Sequence, residues 1–233
     1  MCTVTVVRRG RDTLISMNRD EQRTRHGEQP PAPWPHGNLT APRDGPAGGT
    51  WMGLTPQGNW ACLLNSYAPY TPPAPAPSRG GIVPELLLAD DTQAAALAAM
   101  DVARYRPFRL LLGRYGTWEL FHWDGQALQR EAHSDGADFI VTSSSWNADA
   151  VLPARHAAFA QWQALGRPYD AQGIPLIHRW QEVGGERSGI LMARPESHTT
   201  SLTQIILTQD AAPAMRYWPV AQLAPVSLQQ PAL

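Results

Sequence analysis

Alternating apolar and polar positions along the chain predict several pairs of antiparallel strands. The runs CTVTVV and TLISMN flank a polar RRGRD turn, which predicts a hairpin over residues 2–18. The runs GGTWMGL and WACLLN lie on either side of Pro56 and Gly58, which favour a tight turn, and predict a second hairpin. Six later runs are also typical of strands: FRLLLG, TWELFHW, ALQREAH, DFIVT, TTSLTQIILTQD and AMRYWPV.

Three segments are helical in character: 82–105, 147–165 and 174–183. The first predicts two helices, because the Asp90–Asp91 pair interrupts the apolar pattern near its middle. The second predicts one amphipathic helix with Asn147 or Asp149 as its N-cap.

Two long segments show no periodicity. Residues 19–48 are rich in Pro, Gly, Arg and His, and a structureless stretch of this length is usually a functional or covering loop. The Pro/Ala-rich residues 66–80 predict a surface loop. We expect the conformations of 22–47 and 66–80 to shape any ligand pocket.

The order of these elements indicates the fold class. Strands and helices follow one another without the strict βαβ alternation of a parallel sheet. The pattern therefore favours an α+β protein with a single domain over residues 1–233, in which helices cover the outer faces of antiparallel sheets.

Composition narrows the chemistry. The formal net charge is −1, so no global field recruits nucleic acid. Every one of the 19 basic residues is an arginine, which excludes Schiff-base lysine and P-loop chemistry. The two cysteines form no CxxC motif and the seven histidines no HxH or HExxH motif, so we expect neither a metal site nor a cofactor.

Targeting signals are also sparse. The chain opens with no charged n-region followed by an apolar h-region, and no apolar run approaches the ~20 residues of a membrane span. We therefore expect a cytoplasmic protein without an integral membrane segment.

The cysteine at position 2 is the main candidate for chemistry. One interpretation is a small apolar residue at a strand end. The other is an N-terminal nucleophile: removal of Met1 exposes an α-amine on Cys2, with a pKa of roughly 8, which can take the thiol proton.

The predicted hairpin brings the motif NRDE close to that cysteine. If the two strands pair about the RRGRD turn, Asn18, Arg19 and Asp20 lie near Cys2. A cation there lowers the pKa of the thiol or binds a substrate carboxylate, and a carboxylate orients the α-ammonium. The alternative is a turn of solvated charges.

These residues resemble a known family. MCT, NRDE, AGGTWMGLTPQGNWACLLN, SRGGIV and YRPFRLLL occur in the order found in the NRDE-motif proteins, also called the transport-and-Golgi-organisation protein 2 family. The resemblance covers most of the chain and is densest over 1–112. That family is similar to the cysteine-type N-terminal-nucleophile (Ntn) hydrolases, which include choloylglycine hydrolases and penicillin V acylases. The resemblance implies a four-layer αββα sandwich with Cys2 at the start of a central strand.

The resemblance also implies roles for later residues. Asn65 matches an asparagine that helps to form the oxyanion hole, although it also suits the end of a strand. Ser143 stands where the amidases carry a second asparagine. The late catalytic arginine has no match in ESHTTSLTQIIL, so His198 and Thr199 are expected to line the site instead. Trp51 flanks the site and is a candidate contact for an apolar ligand.

Two functions follow from the resemblance. The first is a cysteine amidohydrolase that attacks an amide or related acyl bond of a small molecule after Met1 removal. The second is a non-catalytic protein that binds or traffics haem, a lipid or acyl-CoA on the same fold, since members of the family have been linked to haem and lipid handling.

Overall fold

The computed structural model describes residues 2–73, 75–90, 92–181 and 185–228 and consists mainly of two antiparallel sheets. The five-stranded sheet has the order β10-β1-β2-β11-β12, with strands Phe139–Thr142, Cys2–Arg9, Asp12–Gln22, Ser197–Thr208 and Ala214–Pro219. The seven-stranded sheet runs from β3 to β9 in chain order, with strands Glu28–Pro33, Thr40–Asp44, Met52–Leu54, Asn59–Asn65, Phe108–Arg114, Thr117–Trp123 and Leu128–His133.

The largest core cluster lies between the two sheets. Alternate residues of β1 and β2, including Val4 and Ile15, point towards Met52, Trp60 and neighbouring residues of the other sheet, and all four are fully buried. The period of two explains this arrangement, because one face of each strand supplies the core.

Helices cover both outer faces. Helices α1 (Ile82–Leu87) and α2 (Gln93–Ala99) pack on the seven-stranded sheet, and α3 (Ala148–Ala164) packs on the five-stranded sheet. Asn147 is the N-cap of α3, although its side chain makes no capping hydrogen bond. The predicted α+β fold of two antiparallel sheets in an αββα sandwich is therefore confirmed.

The first hairpin has the predicted position and a definite register. Cys2 lies opposite Arg19 and Thr3 lies opposite Asn18. Because side chains alternate along a strand, Cys2 and Arg19 share the inner face of the sandwich. Thr3 and Asn18 point to the other face, where Thr3 contacts Arg155 of α3 and Asn18 contacts His178.

The structure differs from the predictions of a loop over residues 19–48 and of a helix over residues 174–183. Residues 19–48 are not a structureless loop: β2 continues to Gln22, and the segment then supplies β3 and β4. Residues 174–183 contain only the short 3-10 helix Leu176–Arg179 within their described part, while Glu182 and Val183 lie outside the described residues, as does Asp91.

No helix among the described residues combines the length and the apolar character needed to cross a bilayer.

Candidate active site

Cys2 is the first residue of β1 and lines a cavity of 470 Å³. The cavity combines charged and apolar groups. Besides Cys2, its lining includes Arg19, Asp20, Glu21, Arg25, Asp44, Trp51, Leu63, Asn65, Arg79 and Arg106. Four residues predicted for the site from the sequence, namely Arg19, Asp20, Trp51 and Asn65, therefore share one cavity with Cys2.

The backbone of Cys2 is held by Ser143, which follows β10. The Cys2 N–H donates to Ser143 Oγ at 3.2 Å, and the Ser143 N–H donates to the Cys2 carbonyl at 3.0 Å. Ser143 therefore contacts the nitrogen that Met1 removal would convert into an α-amine. Met1 itself lies outside the described residues.

The Cys2 thiol is a neutral group in this environment. Burial raises its pKa, and the nearby charge of Asp20 acts in the same direction. A hydrogen bond from the Asp20 backbone and the charge of Arg19 oppose that shift without reversing it. A nucleophilic role for Cys2 therefore requires a base that takes the thiol proton during attack.

Arg19 forms one wall of the cavity. Its guanidinium stacks over the Trp51 ring at 4.6 Å from the ring centroid. It also forms ion pairs with Glu28 at 3.0 Å and Glu21 at 3.1 Å, and only 6% of its side chain is exposed. Arg19 is thus fixed and electrically compensated, so it shapes the cavity more than it attracts a charged ligand.

Asp20 is fully buried among hydrogen-bond donors. Thr199 Oγ1 donates to Asp20 Oδ1 at 2.7 Å, and Arg155 Nη2 lies 3.5 Å from Asp20 Oδ2. Burial raises the pKa of Asp20, while Arg155, Thr199 and Arg194 counteract that effect. The two arginines were not identified from the sequence as site residues.

Arg194 corrects one expectation in particular. The segment ESHTTSLTQIIL contains no arginine to match the late arginine of the amidases. Arg194, however, lies three residues before β11 and is 2% exposed. Its Nη2 donates to Ser144 Oγ at 3.4 Å, and its charge acts on Asp20. A motif read along ESHTTSLTQIIL begins downstream of Arg194 and therefore misses it.

Asn65 ends β6 on the cavity wall. Its partner in the adjacent strand is Phe108, and its side chain shares a hydrogen bond with Tyr67. Tyr67 is 45% exposed and lines a neighbouring cavity instead. The Asn65 amide can therefore present an N–H donor on the same cavity as the Cys2 thiol.

Three predicted residues lie elsewhere. Asn18 is on the opposite face of the sheet, where its Nδ2 donates to the carbonyl of His178 and its Oδ1 accepts from His178 Nδ1 at 2.5 Å. Burial lowers the pKa of His178 to about 3, so this imidazole is neutral. Thr199 is fully buried and contacts Asp20 rather than the cavity. His198 pairs with Glu21 across the sheet and does not line the cavity.

Comparisons with known proteins agree with this architecture. The sequence matches the family model described as Transport and Golgi organisation 2 over residues 1–152. A search of curated protein sequences gives no significant match.

Solved structures show the likeness in fold. The N-acylethanolamine-hydrolyzing acid amidase (NAAA) ortholog of Caenorhabditis elegans is 11% identical with a TM-score of 0.55, over 87% of this chain and 92% of that chain. Penicillin V acylase from Agrobacterium tumefaciens is 12% identical with a TM-score of 0.44, over 96% and 88%. A variant of the conjugated bile acid hydrolase from Clostridium perfringens is 10% identical with a TM-score of 0.48, over 95% and 93%. The likeness in fold rests on the first of these.

Proposed function

The chain belongs to the Transport and Golgi organisation 2 family, and from the geometry around Cys2 we propose that it is an Ntn cysteine hydrolase acting on an amide or related acyl bond. One observation carries the proposal. Cys2 begins a central strand, lines the 470 Å³ cavity, and has its backbone nitrogen 3.2 Å from Ser143 Oγ. Processing of Met1 would therefore expose an amine and a thiol together at a cavity of substrate size.

The α-amine of processed Cys2 supplies the base that the buried thiol needs. Ser143 Oγ holds the nitrogen, and the Asp20 carboxylate lies close enough to influence it. The amine accepts the thiol proton as the sulfur attacks the substrate carbonyl. A carbon–sulfur bond forms, the carbonyl oxygen becomes an oxyanion, and the α-amine becomes an ammonium.

The second half of the reaction returns the enzyme to its starting state. The tetrahedral intermediate collapses, the carbon–nitrogen bond breaks, and the leaving amine takes the proton from the ammonium. The α-amine then deprotonates a water, which attacks the thioester, and the acid leaves as the thiol is restored.

We place this activity in the cytoplasm, with a small molecule as substrate. The proposal rests on the family, on the two free cysteines and on the need for Met1 removal.

Asn65 is the side chain that we propose as oxyanion donor. Replacing Asn65 by alanine is expected to lower kcat by about 10²-fold to 10³-fold with little change in KM, because the lost N–H acts on the transition state. Steady-state kinetics measure both constants. The matched control is Asn59→Ala at the other end of β6, outside this cavity, which should leave kcat unchanged. A fall confined to substrate affinity would assign Asn65 to binding instead.

Mass spectrometry of the intact protein and of its peptides tests the proposal directly. The purified protein is expected to lack Met1, and a panel of N-acyl amides and p-nitrophenyl esters should produce an adduct of acyl mass on the peptide that begins with Cys2. Quantitative retention of Met1 would refute the mechanism, since no α-amine would lie on the nucleophile.

The alternative is a non-catalytic binding or trafficking role for haem, a lipid or acyl-CoA. It is favoured by the mixed polar and apolar lining of the cavity, which suits an amphipathic ligand. It predicts that Cys2→Ala retains the ligand in a haem or acyl-CoA titration while the unaltered protein turns over no acyl substrate.

A further inference from the structure

Two arginines that line the cavity have no ion-pair partner among the described residues. Arg79 and Arg106 line the Cys2 cavity, and none of the described residues forms an ion pair with either. The polar contact of the Arg79 side chain is a hydrogen bond from Nη1 to the carbonyl of Pro107 at 2.7 Å. Arg79 is half-buried and Arg106 is exposed, so both side chains are accessible to solvent.

The other cations of the cavity differ in this respect. Arg19 is paired with Glu21 and Glu28, and Arg25 Nη2 contacts Asp44 Oδ2 at 2.5 Å. Among the described residues, Arg79 and Arg106 are therefore the cavity arginines without an ion pair, although the charge of Glu21 also acts on Arg79 from a greater distance. The two guanidiniums are close enough for their charges to repel each other, which an anion placed between them would relieve.

The same two residues also line a second cavity. This neighbouring cavity has a volume of 510 Å³ and is lined by Tyr67, Tyr70 and Pro72, among others. Both cavities are lined by Ala76, Arg79 and Arg106. A ligand that extends from Cys2 into the second cavity must pass the arginine pair.

We propose that Arg79 and Arg106 form an anion subsite, and that the ligand of this cavity carries a carboxylate or phosphate group held there while its acyl carbonyl reaches Cys2. The reference to the acyl carbonyl rests on the proposed hydrolase function. The anion subsite itself does not, because it concerns only charge and position. Guanidinium forks match both oxyanions, which makes arginine suited to either group.

Alkylation of the Cys2 thiol tests the subsite without requiring turnover. Rates with anionic iodoacetate and neutral iodoacetamide are measured by peptide mass spectrometry, and their ratio is divided by the same ratio for glutathione. We expect this normalised preference for iodoacetate to be about tenfold, because a cationic cleft concentrates anions. The variant carrying Arg79→Gln and Arg106→Gln should bring it close to one.

Arg104→Gln is the matched control, since Arg104 is an exposed arginine of the same segment that lines neither cavity. It should keep the full preference. If the double variant does not fold, a salt titration of the unaltered protein from about 0.02 to about 0.5 M NaCl gives an independent measurement, because screening should abolish the preference. A preference near one in the unaltered protein, or one that survives the double variant, would overturn the proposal.

The chemical source of the anion is resolved by protection experiments. Hexanoate, hexyl phosphate and hexan-1-ol are each tested for slowing the reaction of Cys2 with iodoacetamide. One of the two anions should protect at lower concentration and thereby identify a carboxylate or a phosphate ligand. Equal protection by hexan-1-ol would contradict the subsite. Failure to hydrolyse any acyl substrate would count against the hydrolase alone.

Discussion

Replacing Cys2 by alanine is expected to reduce acyl turnover by about 10⁵-fold or more, since the reaction loses the atom that forms the covalent bond. Cys2→Ser should keep only a small residual activity, because its hydroxyl is a poorer nucleophile whose proton is harder to remove. The measurement is kcat for the best substrate of the N-acyl amide and ester panel. Both variants should still fold, since the Cys2 side chain is a small part of the core between the sheets.

Cys62 provides the control for this prediction. It is the other free cysteine, it lies in the same core cluster, and it is fully buried away from the cavity. Burial raises the pKa of its thiol well above the ordinary value, and Cys62 has neither a place on the cavity nor an α-amine to take its proton. Cys62→Ala should leave kcat within about twofold of the parent. Turnover that survives Cys2→Ala but falls in Cys62→Ala would remove Cys2 from the mechanism.

Strand pattern and turn chemistry were sufficient to predict the hairpin that carries Cys2. They were not sufficient to separate the residues of the NRDE motif. Arg19 lies opposite Cys2, whereas Asn18 lies opposite Thr3 on the outer face, where it contacts His178. A period of two places neighbours on opposite faces, so proximity along a strand does not imply a shared cavity.

The strands β3 and β4 were not predicted from the sequence, because both contain proline. The segment EQPPAP forms β3 at the edge of the seven-stranded sheet, and Pro30 and Pro31 fall where its pairing with β4 is interrupted between Gln29 and Ala32. Pro42 lies in β4, whose contact with β5 is a single residue pair between Thr40 and Leu54. Composition alone suggests a loop in such a segment, and only the sheet next to it makes the strand stable.

The charges behind the site come from distant parts of the chain. Arg155 lies on α3 and Arg194 before β11, and the charges of both act on Asp20 on β2. Each is an ordinary arginine within its local pattern, and α3 places Arg155 on its buried face among apolar residues. Packing of α3 on the five-stranded sheet creates this cluster, which no local spacing encodes.

Arg155 links that cluster to stability. Its Nη1 donates to Thr3 Oγ1 at 3.0 Å and Thr142 Oγ1 at 2.9 Å, and its Nη2 donates to the Gly189 carbonyl at 2.8 Å. The guanidinium therefore ties β1 and β10 to the segment before β11 while compensating Asp20. Loss of the Arg155 guanidinium therefore removes hydrogen bonds that support β1, the strand that begins at Cys2.

Replacing Arg155 by methionine is expected to lower the free energy of unfolding by about 3–5 kcal/mol, because it leaves the Asp20 carboxylate buried without the arginine of its ion pair. Urea denaturation measures the change, and the exposed Arg104→Met should cost less than about 0.5 kcal/mol.

A second substitution separates charge from packing. Adding Asp20→Asn to Arg155→Met removes the unpaired charge and should recover at least about 1 kcal/mol of that loss. Lowering the pH should have the same effect: without Arg155 the pKa of Asp20 in the folded state rises further above its unfolded value. The folded variant then takes up a proton first, and its deficit relative to the parent shrinks from about pH 7 to about pH 5. Strict additivity of the two substitutions, with a deficit independent of pH, would show that Arg155 acts through packing alone.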